Sequence, residues 1–278
     1  MEYIEVKIEI LAEHTEIIIA ELIIKGYDSF LETETGLDAY IEEGAFSEED
    51  LKEIISRHDE IKTSYSFSKL ENKNWNEEWE KNFQPVEINE DCIIRASFHP
   101  LKKPYKYDIV INPKMSFGTG HHETTSMMIE NQLETDHAGK KVMDAGSGTG
   151  ILAIMASKLG AAHIDAFDVE EWAFENLKEN INLNDCSNIN CSFGDISKAD
   201  LKFEKYEIIL ANINKNVLLE EIPLYSEKLE NNGLLILSGF YTDDVDDIEK
   251  MASSNFLIKT GVKEKNRWAS VIFKKLRN

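Results

Sequence analysis

The first ten residues already show a pattern: in Tyr3 to Ile10 (YIEVKIEI) apolar and charged side chains alternate, as in a strand with one buried face. Thr15 to Lys25 then reads as a helix, Phe30 to Glu34 and Leu37 to Glu42 as strands, Ser47 to Arg57 as a helix capped by Ser47, and Lys62 to Lys69 as a strand. Gly26, Gly36 and Gly44 punctuate the turns. This βαββαβ order predicts a small ferredoxin-like α+β domain over residues 1–70. Residues 71–84 are polar and charged, with Trp75 and Trp79 four apart, the spacing of one helix face. They predict a short linker helix whose tryptophans pack it onto a neighbour.

Residues 85–278 carry a different rhythm. Strands are expected near Cys92 to Phe98 and Tyr107 to Ile111, then a helix over Thr124 to Leu133. From there strands and helices alternate: strand Lys141 to Asp144, helix Ile151 to Leu159, strand His163 to Asp168, helix Trp172 to Asn182, strands Ile189 to Phe193 and Tyr206 to Ala211, helix Val217 to Leu229, strand Gly233 to Ser238. Phe256 to Lys263 and Trp268 to Lys274 read as adjacent strands that finish the sheet antiparallel. The class is α/β, a doubly wound sheet behind a smaller α+β domain.

Composition narrows the possibilities. With 42% hydrophobic and 29% charged residues over 278, the chain is globular and has no apolar stretch near the roughly 20 residues that span a bilayer. The charge-alternating start lacks the basic head and apolar run of a secretion signal, so a cytoplasmic protein is expected, with no membrane partner. Cys92, Cys186 and Cys191 make an odd set without metal-ligand spacing and are expected as reduced thiols. A formal charge of -22 opposes direct nucleic-acid binding and favours a basic partner, although acidity also serves solubility. Oligomeric state is left open, a monomer being the simpler expectation.

The sharpest chemical signal is Val142-Met143-Asp144-Ala145-Gly146-Ser147-Gly148-Thr149-Gly150, an apolar strand entering a glycine-rich turn and then a helix. Glycine lets a backbone turn tightly and approach a ligand closely, though a packing turn is the plainer alternative. Gly146, Gly148 and Gly150 alternate as G-x-G-x-G, which departs from the dinucleotide fingerprint G-x-G-x-x-G and resembles the first motif of Rossmann-like methyltransferases. Asp168 ends the next strand, where a carboxylate either caps a helix or accepts ribose hydroxyls, and its order and spacing favour the ribose. Asp195 follows the strand after that, at the place where this class of methyltransferases holds the adenine amino group; a turn role is the alternative. Asn212 ends the strand Tyr206 to Ala211 and either forms a turn or offers a side-chain carbonyl to a nitrogen nucleophile. Upstream, Phe117-Gly118-Thr119-Gly120-His121-His122-Glu123-Thr124-Thr125 precedes a helix; its histidines lack the i, i+4 spacing of zinc motifs, and no metal is expected.

Taken together, F-G-T-G-H-H-E-T-T, D-A-G-S-G-T-G-I-L-A-I, F-D-V and A-N-I resemble the ribosomal protein L-eleven methyltransferase (PrmA) family. The resemblance runs over the whole chain: a small substrate-recognition domain (1–70), a linker helix (71–84) and an S-adenosyl-L-methionine-dependent catalytic domain (85–278). It implies cofactor contacts from Thr125, Gly146, Asp168 and Asn212, to which the readings above add Gly148 and Asp195. Glu170 stands where the family usually has a second aspartate, and Ile213-Asn214-Lys215-Asn216 replaces the Pro-Pro-aromatic run of other amino-group methyltransferases. The implied activity is methyl transfer to lysine amines, and to the N-terminal amine as a further target, of the L-eleven protein, with Asn212 as the catalytic group that orients the amine. A methyltransferase for another protein, an RNA or a small molecule, a nicotinamide oxidoreductase and a noncatalytic adaptor are the rival readings.

Overall fold

The computed structural model of the chain describes residues 3–11, 14–33, 35–58, 64–69, 84–112, 114 and 116–277. The expected linker helix, with Trp75 and Trp79, lies outside them. The chain divides into two units, Met1–Phe83 and Gln84–Asn278.

In the first unit, β1 (Tyr3–Glu9), α1 (Thr15–Ile24), β2 (Ser29–Thr33), β3 (Gly36–Glu42), α2 (Glu48–Arg57) and β4 (Ser64–Lys69) follow in the βαββαβ order. The sheet runs β2-β3-β1-β4 and all its pairings are antiparallel. Alternation in β1 puts Ile4, Val6 and Ile8 opposite Ile41, Ala39 and Leu37 of β3. All six are buried, together with Ile18 and Leu22 of α1 and Leu51 and Ile54 of α2. Ser47 caps α2, its hydroxyl accepting from the Asp50 amide at 3.3 Å.

The second unit opens with a small sheet, β5 (Val86–Glu87), β6 (Cys92–Arg95) and β7 (Tyr107–Val110). After α3 (Glu123–Leu133) the alternation begins: β8 (Lys141–Ala145), α4 (Ile151–Lys158), β9 (His163–Asp168), α5 (Glu171–Leu183), β10 (Ile189–Phe193), β11 (Tyr206–Asn212), α6 (Lys215–Lys228), β12 (Leu229–Tyr241), α7 (Val245–Ser254), β13 (Leu257–Lys265) and β14 (Trp268–Lys275). The seven strands lie in the order β10-β9-β8-β11-β12-β14-β13. Neighbours from β10 to β12 are parallel, and β14 runs antiparallel to both β12 and β13.

Successive strand residues feed opposite faces. Val142, Ile208, Leu210 and Ile236 pack with α3, α4 and α5, while Met143, Ile209, Ala211 and Leu235 pack with α6 and α7. Helix α7 was not expected from the sequence. Its residues VDDIEKMASS are mostly polar; Ile248 and Ala252, four apart, are buried in the core, and Val245 and Met251 pack against it partly buried. Among the described residues no helix is long and apolar enough to cross a membrane.

Candidate active site

Strand order reverses at β8, whose two neighbours are β9 and β11; ligands of open α/β sheets bind at such a switch point, outside the carboxyl ends of the strands. A cavity of about 520 Å³ opens there. Gly146 and Gly148 after β8, Asp168 at the end of β9, Asp195 beyond β10 and Asn212 at the end of β11 all line it.

The glycine turn is shaped by its surroundings. Gly148 has φ +54, and a Cβ there would stand 2.4 Å from the Phe117 carbonyl oxygen. The same carbonyl accepts from the Thr149 amide at 3.0 Å, and the Thr149 hydroxyl donates to the Gly118 carbonyl at 2.6 Å. The segment Phe117–Gly120 is thereby stitched against the turn. The Ser147 and Gly150 amides donate to Phe167 and Ser147 carbonyls at 3.0 and 2.7 Å, and the Gly148 amide to Asp168 Oδ2 at 2.8 Å. A phosphate-binding turn keeps such amides for its ligand. Here all four are occupied, so the turn does not suit a dinucleotide's pyrophosphate.

Asp168 also accepts from the Glu170 amide at 3.0 Å, which orients its carboxylate at the strand end and leaves lone pairs for hydroxyl donors. Asp195 holds its own turn, accepting from the Ser197 amide at 3.0 Å and from Lys198 at 2.8 Å; the Lys198 bond, then that of the Ser197 hydroxyl, pulls its carboxyl down to about 2. Asp195 is thus a turn anchor that also lines the cavity. Asn214 caps α6 through the Val217 amide at 3.2 Å.

Asn212 Nδ2 lies 3.5 Å from Thr125 Oγ1, which sets the sense of the amide, while Asn212 Oδ1 is buried without a partner. Ser116 Oγ, also at the cavity, is buried and unpartnered too. Such orphaned groups are costly unless a ligand meets them. The expected contact from Thr125 needs correction. Thr124 and Thr125 are both fully buried, but Thr124 lines the cavity and Thr125 does not; Thr125 bonds the lining residue Asn212.

His121, His122 and Glu123 are spent locally: His121 Nε2 lies 2.8 Å from the Gln84 carbonyl, His122 Nδ1 accepts from the Thr124 amide at the start of α3, and Glu123 accepts from Asn266 at 2.8 Å. Among the described residues, no three His, Cys, Asp or Glu side chains gather as a metal site. Sequence reasoning overlooked the apolar rim, where Phe117, Val169 and Trp172 remain 52–58% exposed, and also Trp268 and Glu221. Burial pushes the Glu221 carboxyl up, and it bonds the Tyr225 hydroxyl. Asp168, Glu170, Asp195 and Glu221 give the cavity four carboxyl groups, and among the described lining residues none is Lys or Arg. Positive charge is what such a lining accepts.

A mostly parallel sheet of this order, reversing at β8 and finished by an antiparallel strand, is the Rossmann-like sheet of class I methyltransferases, and its crevice here fits a cationic, phosphate-free cofactor. The profile of "Ribosomal protein L11 methyltransferase (PrmA)" matches residues 5–276. A ribosomal protein L11 methyltransferase of Phocaeicola vulgatus is 44% identical over 252 residues, 89% of either chain, and that of Porphyromonas gingivalis 40% over 262, covering 93% of this chain and 90% of the relative. The crystal structure of a ribosomal protein L11 methylase from Lactobacillus delbrueckii subsp. bulgaricus superposes with a TM-score of 0.65 at 25% identity, over 70% of this chain and all of the other. The chain belongs to the ribosomal protein L11 methyltransferase family.

Proposed function

We propose that the protein transfers methyl groups from S-adenosyl-L-methionine to lysine side-chain amines of ribosomal protein L11, with the N-terminal amine as a further target. The observation that carries this reading is Asn212, whose Oδ1 is a buried acceptor without a partner, in the wall of a strand-end cavity lined by carboxyl groups. When bound, the cofactor supplies an activated methyl group on a sulfonium. Asp168 would accept the ribose hydroxyls, Gly146 and Gly148 would allow close approach, and Asp195 would take the adenine amino group. Phe117, Val169 and Trp172 give the crevice an apolar rim that a bound ligand would cover.

Lysine titrates at about 10.4 in water and must lose a proton before it attacks. Desolvation in the cavity and a neighbouring positive charge both favour the neutral amine. Asn212 Oδ1 then accepts one N–H and turns the nitrogen lone pair toward the methyl carbon, with Thr125 setting the amide from behind. The proton lost before the attack goes to solvent, since no strong base is required. Residues 1–70 serve as the substrate-recognition domain and 71–84 as its linker. A ribosomal substrate implies action in the cytoplasm.

The test is transfer of labelled methyl from S-adenosyl-L-methionine to purified L11, with mass spectrometry locating the modified amines. Asn212→Ala is expected to lower turnover at least about tenfold, a loss of roughly 1.4 kcal/mol of transition-state stabilisation. Turnover equal to that of the parent protein would reject the role given to Asn212, and label on residues other than amines would reject the reaction.

A further inference from the structure

Between β10 and β11 the chain crosses over without a helix: residues 194–205 carry neither helix nor strand, although the two strands run parallel. Parallel strands are ordinarily joined through a helix, which pairs its own amides. An irregular segment lying on the sheet must find partners for its backbone elsewhere. Ile196, Ala199, Leu201 and Phe203 pack the segment against the core, and Asp195, which lines the cavity, stands near its start.

The partner is Asp165, which lies in β9 three residues before Asp168, is fully buried and does not line the cavity. Its Oδ2 accepts from the Lys202 amide at 3.0 Å and from the Tyr206 hydroxyl at 2.6 Å. Its Oδ1 accepts from Asn190 Nδ2 at 2.8 Å and lies 3.2 Å from His163 Nε2. The same Asn190 nitrogen donates to the Asp200 carbonyl at 2.9 Å, so β9, β10 and the crossover share one cluster. Burial, then the bond to Asp165, raises the pKa of the Tyr206 hydroxyl, which keeps it a donor. A buried carboxyl group is costly unless its oxygens are met, and here donors meet both. An amide in its place would turn an N–H toward one of those donors.

From this cluster the path to Asp195 is short. The Leu201 amide donates to the Ala199 carbonyl at 2.9 Å, and the Ala199 and Lys198 amides donate to the Asp195 carbonyl at 2.9 and 3.0 Å. The Asp195 side chain is locked to Ser197 and Lys198. The turn 195–199 is therefore a unit, and its place on the sheet is set by what holds residues 200–202.

We propose that Asp165 is a positioning residue for the adenine of the cofactor: it fixes the helix-free crossover on the sheet and, through it, the carboxylate of Asp195. This rests on the reading of Asp195 given above. The full chain is titrated by calorimetry with S-adenosyl-L-homocysteine and with S-inosyl-L-homocysteine, in which a carbonyl oxygen replaces the adenine amino group. The parent protein is expected to prefer the adenosyl compound about ten- to a hundred-fold, and Asp165→Asn to cut that preference below about threefold. Asn190→Ala keeps the buried carboxylate, removes its tie to Asp200 and should give an intermediate preference. Tyr206→Phe leaves both ties to the crossover in place and should keep the preference whatever it costs in stability. A merely structural role weakens both ligands by the same factor. That result in Asp165→Asn, or in Asn190→Ala should the first variant not fold, overturns the inference and leaves the reading of Asp195 standing. A parent protein that binds both compounds alike removes the adenine reading of Asp195 and this inference with it, and labelled transfer to L11 still decides the reaction on its own.

Discussion

Replacing Asp144 by Asn is expected to change how stability depends on pH more than stability itself. Asp144 lies in β8 directly before the glycine turn and is fully buried; Oδ2 accepts from the Ala153 amide at 3.0 Å, and Oδ1 has no partner. Burial, reinforced by the negative charge of Asp168 and opposed by the Ala153 bond, pushes its carboxyl from 3.8 up to about 7. The sign follows directly. Between those two values the folded protein holds a proton that the unfolded chain has released, so stability falls as pH rises through this window and levels off above about 7. From about pH 5 to about pH 8 this one group should remove roughly 2–3 kcal/mol. Asparagine has nearly the same volume, keeps an oxygen for the Ala153 amide and does not titrate. Denaturant unfolding of both proteins at the two pH values gives the test, with the stability difference moving in the variant's favour by that amount as pH rises. A difference that stays constant would mean that Asp144 is ionised throughout, and the claim that burial controls it would fail.

Two further outcomes follow from the same geometry. Gly148→Ala places a Cβ 2.4 Å from the Phe117 carbonyl oxygen at a φ of +54, so it should cost at least about 2 kcal/mol in denaturant unfolding and weaken cofactor binding in calorimetry; unchanged values for both would show that the turn relaxes freely. A net charge of -22 should steer a basic substrate, so raising ionic strength from about 0.05 M to about 0.5 M is expected to slow L11 association about tenfold in stopped-flow measurements, and a salt-independent rate would remove steering.

The residues that sequence reading placed at the crevice share one property: each closely follows a predicted strand of the sheet. In a doubly wound sheet the parallel strands end along one edge, so position after a strand is itself an address. That is why Gly146, Gly148, Asp168, Asp195 and Asn212 could be brought together without coordinates. Thr125 had no such address. It sits on α3, where one residue of rotation, about 100°, separates the cavity-lining Thr124 from the buried Thr125, and the start of the helix is fixed by a histidine cap that no sequence rule supplies. Helix α7 carried a readable signal that sequence reading passed over, since Val245, Ile248, Met251 and Ala252 recur at the spacing of one helix face.

The aromatic lining of the cavity by Phe117, His122 and Trp268 was hidden for a different reason. Phe117 and His122 come before the sheet begins and Trp268 opens its last strand, and only the antiparallel insertion of β14 beside β12 brings Trp268 to the crevice. Sequence reading did expect an antiparallel finish, but not which end of that strand would face the glycine turn. The same topology explains how one cavity handles two positive charges. Under the proposed reaction the sulfonium would be held at the strand ends of β8 and β9, where carboxyl groups and the glycine turn line the cavity. The amine would be met beyond β11 by Asn212. Were both charges served by carboxylates, the acceptor amine would be stabilised in its protonated, unreactive form. A neutral asparagine orients the same amine without adding a further negative charge, which keeps loss of the proton within reach.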